Sequence, residues 1–516
     1  MNIYIHVKEQ TVSFAPVKAL LDHIGYQPKQ TYELNGMKLF NPRRRGQINE
    51  NSLTDSQDSS HQLRFFVKDR VIRNLIKIAH CALESRRFHV YLYHAKHLDE
   101  GSKLFFEAAE QLSLIQLSLV YEKQAPSPSI VYQPNRDEQR LHMLTSVPRQ
   151  LSDEEQKFIY QWAREYIACG DAWTGKRLLL RLMEEQIHPD YCYYLGITYT
   201  QLDETINAEY YLNLIPKNGK PRDIVGSYYV LSMLYARHHP KYLLSIDRAE
   251  QFLQQAYDIL LNLDAKGDET IEFQRIFNRN GYALILFRRQ KIGEAVQFLQ
   301  QGIEKLDRYK NEQASLHQSV LIYNLAQCYL RLKRFEPAIN VFKRLIQIDP
   351  NYPENHLELA YCYLEMGNPE KAIHHLEVAR RLDPFIAETY GLLGYISLQR
   401  GQWHDSIMHY KKAVQLSLGE ASFTYDYAYA LSEQGDYQKC FELIENHESP
   451  ISDEQLLEDF ISLKAESLCN LDQFEQALSV LQTGQTILPE SEKLKVNEFM
   501  VKRKIVDEKL SSSAKE

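Results

Sequence analysis

Along the last two-thirds of this chain, apolar and small residues recur at helical spacing and in a fixed long register. Leu325-Ala326, Tyr329, Ala338, Phe342 and Pro350 are followed 34 residues later by Leu359-Ala360, Tyr363, Ala372, Leu376 and Pro384. Each block predicts two amphipathic helices, with small residues where the helices approach closely and large apolar ones where the pair buries its face. An Asp-Pro dipeptide closes each block and marks the turn. A lone helix pair cannot bury its apolar face, so phased repetition predicts an array of stacked pairs.

The register extends in both directions. Upstream, Leu195-Gly196, Tyr199, Ala208 and Leu212 form a unit from near Pro189, and Ala163, Tyr166 and Leu179 an earlier one from near Gln156. Tyr235, Ala249, Leu253 and Ala256 carry it through Ile224–Asp264, with extra residues around His238-His239-Pro240. A unit with Ala283, Leu286, Ala295 and Leu299 follows. The polar, proline-free LDRYKNEQASLHQ then predicts lengthened helices before the register resumes near Ser319. Units from Ser319, Pro353 and Ala387 are contiguous, and a degenerate one runs from Ala421 with Ala428 and Cys440. After the acidic spacer NHESPISDEQ, a last unit carries Ala465, Ala477, Leu481 and Pro489. The expected layout is an array over 156–491, then a polar capping helix, with the tail SSSAKE disordered.

Residues 1–150 do not follow this register. MNIYIHV reads as a strand and PVKALLDHIG as a helix, while SLTDSQDSSHQ reads as a loop. An amphipathic helix over Val71–Leu83 precedes a strand at His89–Tyr93, a helix at Gly101–Leu112 and a strand at Ile115–Tyr121. Strand–helix–strand at this length predicts a βαβ unit with a parallel pair, hence a small α/β domain.

The period and its residue types resemble the tetratricopeptide repeat family. The resemblance implies a mainly α-helical, right-handed superhelical solenoid of about nine helix–turn–helix units, preceded by the α/β domain. It implies a concave groove lined by the second, fifth, sixth, ninth and twelfth positions of each first helix. Those positions are held by Tyr193, Asn280, Tyr323, Asn324, Gln327, Tyr361, Tyr395, Tyr425, Asp426 and Tyr429. A tyrosine combines a large apolar face with a hydroxyl and little rotamer entropy, which suits capture of a peptide or a partner helix; packing between repeats is the alternative role. Co-chaperones of the family clamp a C-terminal carboxylate with basic residues. Here Tyr323, Leu357 and Glu388 stand where cations are expected, so that use is not anticipated.

HVYLYHAKHLDEGSKLFFEAAEQLSLIQLSLVYE resembles the Walker-B and sensor strands of signal-transduction ATPases. It departs from them at His94 and Ala95, where carboxylates hold magnesium, and no GxxxxGK[ST] precedes the strand. The expectation is a docking domain, not an ATPase, and no cofactor. His89, His94 and His97 with Asp99 and Glu100 gather near one strand end, but their spacing is not that of a metal site. Arg43-Arg44-Arg45 reads as solvated, and the adjacent His374-His375 point in different directions.

A net charge of -8 argues against non-specific attraction to nucleic acid. No apolar run is long enough to span a bilayer, and the start lacks the pattern of a signal peptide. Seven scattered cysteines fit neither a disulfide framework nor zinc, which suits a reducing cytoplasm. The leading expectation is a cytoplasmic, non-enzymatic adaptor binding a protein or peptide. The alternatives are a peptide-sensing regulator, which lacks an opening helix-turn-helix, and a nucleotide-dependent switch, which lacks a phosphate loop.

Overall fold

The computed structural model describes residues 1–42, 68–216, 219–263, 269–309 and 311–513. Arg43-Arg44-Arg45 and the segment SLTDSQDSSHQ lie outside the described residues. The chain forms two compact units, Met1–Asp383 and Pro384–Glu516.

The first unit opens with a sheet of three parallel strands in the order β1 (Asn2–His6), β2 (Phe88–Tyr93) and β3 (Ile115–Val120). The strands alternate. Ile3, Ile5, Phe88, Val90 and Leu92 are buried under the helices Ala15–His23, Lys68–Leu83 and Glu100–Gln111, joining Leu20, Leu75, Ile78, Phe105 and Phe106 in one core. The predicted βαβ unit is present, and MNIYIHV adds a third parallel strand to it. Sequence reading missed two helices here, Thr31–Met37 and Arg136–Ser146; the second starts with a capping box of Asn135 and Glu138.

Six helix pairs follow in this unit. They are Asp153–Cys169 with Ala172–Glu185, Pro189–Gln201 with Thr205–Asn213, and Pro221–Met233 with Ile246–Asn262. Then come Glu269–Arg288 with Ile292–Leu306, Glu312–Arg331 with Phe335–Ile348, and Pro353–Glu365 with Pro369–Leu382. The small positions of the register are closed to solvent: Ala208, Ala249, Ala295, Ala338 and Ala372 are all 0% exposed. Gly196 shows why, since a Cβ there would sit 2.5 Å from the Leu212 side chain.

Two irregularities depart from the simple register. LDRYKNEQASLHQ is not uniformly helical. The helix ends at Leu306, and Asn311 starts the next by accepting a bond from the Ala314 N–H at 2.8 Å. The extra residues therefore lengthen the front of the fifth pair. At His238-His239-Pro240 the first helix of the third pair loosens into a π turn, Leu234–His238.

The α/β domain is fixed to the first pair. The Trp173 ring meets Phe14 edge-on at 5.7 Å, and its Nε1 donates to Glu100 Oε2 at 2.9 Å. Arg177 donates to the carbonyls of Gln10 and Thr11 at 3.0 and 2.8 Å.

The second unit holds three pairs: Ala387–Gln399 with Trp403–Leu416, Ala421–Glu433 with Tyr437–Glu445, and Glu454–Asn470 with Phe474–Ile487. Helix Glu492–Ser513 covers the last pair through Leu494 and Val501, which join Ala465, Ala477 and Leu481 in one cluster. The helix runs on through Ser511–Ser513, so these serines extend the cap and do not form a tail; residues 514–516 lie outside the described ones. Among the described residues, no helix is long and apolar enough to cross a membrane.

Candidate functional site

The first helices of the third, fourth and fifth pairs leave a cavity of about 300 Å³ between them. Gly281 makes the close approach possible, because a Cβ there would lie 3.0 Å from Leu253 and 3.1 Å from Tyr229. Tyr229 can thus lie across to Phe277, with ring centroids 5.0 Å apart. Asn280, Tyr323, Asn324 and Gln327, four of the residues expected from sequence, meet in this cavity wall. Asn324 Nδ2 donates to Asn280 Oδ1 at 2.8 Å. The Tyr323 hydroxyl and the Gln327 amide both donate to Glu358 Oε1 at 3.0 Å. Burial raises the Glu358 carboxyl above its ordinary range, although these two bonds pull the other way.

Other expected residues lie elsewhere. Tyr193 packs over Gly226 with its ring 3.0 Å from where a Cβ would stand; burial, then Tyr194, pushes its hydroxyl up to about 12 against the pull of Arg222. It does not line the cavity. Tyr361 is exposed. In the second unit Tyr395 and Tyr429 are exposed, and Tyr429 stacks with Tyr425 at 6.3 Å, which in turn meets Phe460 at 5.7 Å. Tyr425 thus does packing work as well. Burial alone pushes Asp426 up to about 6.

Sequence reading missed Tyr229, Phe277 and Arg237 in the cavity. The signal that marked this place was the surplus of residues at His238-His239-Pro240, where the π turn shifts the register. It missed a second feature entirely. Helix Lys68–Leu83 of the α/β domain lies against the sixth pair. Arg73 reaches Glu354 Oε1 at 3.0 Å, Arg70 approaches the same oxygen at 3.9 Å and covers the Tyr352 ring, and Lys77 meets Asp383 at 2.5 Å. Burial works to raise the Glu354 carboxyl, but Arg70 and Arg73 outweigh it and hold it below the carboxylate range.

The histidines and acids near β2 go to separate partners. His89 bonds Ser118 Oγ at 2.9 Å and stacks on Tyr91, while His94 pairs with His6. Asp99 caps helix Glu100–Gln111, and Glu100 accepts from Trp173. His375 stacks on Tyr363 and faces His356, and burial pushes both histidines down to about 4. Among the described residues, no group of three or more His, Cys, Asp or Glu side chains is placed to hold a metal ion.

Stacked helix pairs with buried small residues at fixed register define a helical-repeat solenoid. Family models of the tetratricopeptide repeat match residues 320–352 and 337–393, so the chain carries tetratricopeptide repeats over that stretch. No curated protein matches it in sequence. Among solved structures it is similar to a tetratricopeptide repeat protein from Parabacteroides merdae, at 14% identity and TM-score 0.38, covering 54% of this chain and 98% of that one. It is also similar to the APC/C hetero-tetramer Cut9–Hcn1, at 14% identity and TM-score 0.31, covering 71% and 90%. A third is PilW, a type IV pilus biogenesis factor, at 15% identity and TM-score 0.36, covering 43% and 97%. At these values the likenesses carry no argument about what this chain binds.

Proposed function

We propose that the protein is a non-enzymatic adaptor that holds a protein or peptide segment along the faces of its first helices. The α/β domain serves as a second docking site. The observation that carries this reading is the cavity of about 300 Å³, which opens among aromatic rings and amides on the helices that the family's register assigns to partners. Large rings with few rotamers and paired amides suit an extended segment: the rings take its side chains and the amides its main chain. The exposed Tyr361 and Tyr395 extend such a surface within their own units. The seven free cysteines are consistent with a reducing compartment, which we take to be the cytoplasm.

The test uses the full chain as bait in an extract of its native cells, followed by titration calorimetry with the captured partner. Truncating a buried aromatic anchor commonly costs on the order of 2 kcal/mol, roughly thirtyfold in affinity. Tyr323→Ala is expected to show that loss with helical content intact, and Tyr361→Ala and Tyr395→Ala a smaller one. Wild-type affinity in all three variants would place the partner elsewhere.

A further inference from the structure

The cavity of the third to fifth pairs contains one group that packing does not explain. Arg237 lines it and is exposed to solvent. Its Nε donates to His238 Nε2 at 3.0 Å. Among the described residues, its two terminal nitrogens have no hydrogen-bond partner and no carboxylate forms an ion pair with it. Glu358, the carboxylate bonded to the cavity wall, is held by Tyr323 and Gln327. A second cation, Arg288, adds to the positive field at this arginine.

The turn that places Arg237 is firmly built. In the π turn Leu234–His238, the Tyr235 hydroxyl donates to Glu209 and accepts from Arg248 at 2.6 Å. His239, just past the turn, is tied to Thr205 Oγ1 at 3.1 Å and lies 3.4 Å from Glu209. Side chains from the second pair thus fix a turn in the third, and π turns of this kind often mark functional positions. Tyr229, Met233, Phe277 and Val320 add apolar surface to the same wall, which also holds the amides of Asn280, Asn324 and Gln327.

We infer that this cavity takes an apolar side chain flanked by a carboxylate on an extended protein segment, with Arg237 binding the carboxylate. The inference rests on the adaptor reading and adds the chemistry of the partner. Two terminal guanidinium nitrogens match the two oxygens of a carboxylate. An arginine in the wall of a cavity, with its terminal N–H groups unused by the chain, can give both of them to a ligand carboxylate. The volume is at the small end for a binding pocket and suits one side chain with its neighbour's acid.

The test is phage display of random dodecapeptides against the full chain. The wild type is expected to select an acidic residue beside an aromatic or aliphatic one. A synthetic copy of a selected peptide is then measured by fluorescence anisotropy. Arg237→Gln should weaken binding by about tenfold or more, with Arg237→Lys intermediate and circular dichroism unchanged. Replacing the peptide's Asp by Asn should cost the wild type a similar factor and the Arg237→Gln variant almost nothing. Selected peptides without an acid, or an acid whose removal costs both proteins equally, would overturn the inference and leave the adaptor reading standing. Failure to select any peptide would count against both. Free phenylacetate that binds as tightly as the peptide would show that a small acid, not a protein segment, is the ligand.

Discussion

Two stretches of the same repeat surface have opposite occupancy. At the sixth pair, Glu354 and Asp383 are met by Arg70, Arg73 and Lys77 of the chain's own helix Lys68–Leu83. At the third to fifth pairs, the cavity presents Arg237 and aromatic rings, and no element of the described chain enters it. The repeat architecture is the same in both places. What differs is charge: the acidic stretch is met by a basic helix of the first unit, whereas among the described residues no carboxylate pairs with Arg237, and Glu358 is bonded to Tyr323 and Gln327 instead. The contrast narrows to one helical turn, since Glu354 and Glu358 lie on the same helix. Glu354 faces arginines and its carboxyl is held low, whereas Glu358 faces a tyrosine and an amide and burial raises it. Repeat register places positions on a face, and local charge decides which of them stay open.

The largest expected effect comes from breaking the covered stretch. Lys77 and Asp383 are both buried, so Lys77→Met leaves an uncompensated carboxylate and should cost about 3 kcal/mol in urea denaturation. Adding Asp383→Leu should restore most of that loss. A single variant as stable as wild type would mean that the pair does not hold the helix to the sixth repeat.

A smaller effect is expected at the open stretch. Gly281→Val forces a branched side chain towards Tyr229 and Leu253 and should cost about 1–3 kcal/mol. It should also remove peptide binding by pushing Tyr229 across the cavity. Binding that survives this substitution would place the ligand outside the third to fifth pairs.

The smallest effect is a pH signature that separates the two carboxylates. Glu354, held low, contributes stability that is present above the unfolded pKa and is lost only as pH falls through its still lower folded value. Glu358, raised, acts in the opposite sense: its contribution is present below the unfolded pKa and fades as pH rises through the folded value. NMR titration of the glutamate carboxyl carbons should therefore show Glu358 titrating at higher pH than Glu354. Arg73→Gln should narrow the gap by raising Glu354, and coincident titrations would remove the electrostatic distinction drawn above.

The sequence made the repeats legible because their packing is local. Leu325, Ala326, Phe342, Leu359, Ala360 and Leu376 are buried as their register requires, and within each compact unit successive helix pairs pack in chain order. Part of the cavity was legible for the same reason, since Asn280, Tyr323, Asn324 and Gln327 follow the register of their helices. Arg237 was not, because the π turn displaces it from any regular position. The ion pairs to the sixth repeat join residues 281 and 306 positions apart. No periodicity within the array encodes a contact with a helix that precedes it. Tyr193 and Tyr425 fit the register and carry packing as well, because the same positions serve both roles.

Hydrogen–deuterium exchange on the full chain, with and without a selected acidic peptide, tests most directly whether the open stretch and not the covered one receives the partner. The account predicts added protection in segments 226–237, 277–288 and 320–328, with exchange in helix Lys68–Leu83 unchanged. Protection confined to Pro384–Glu516, or faster exchange in Lys68–Leu83 as the peptide displaces it from the sixth pair, would contradict it.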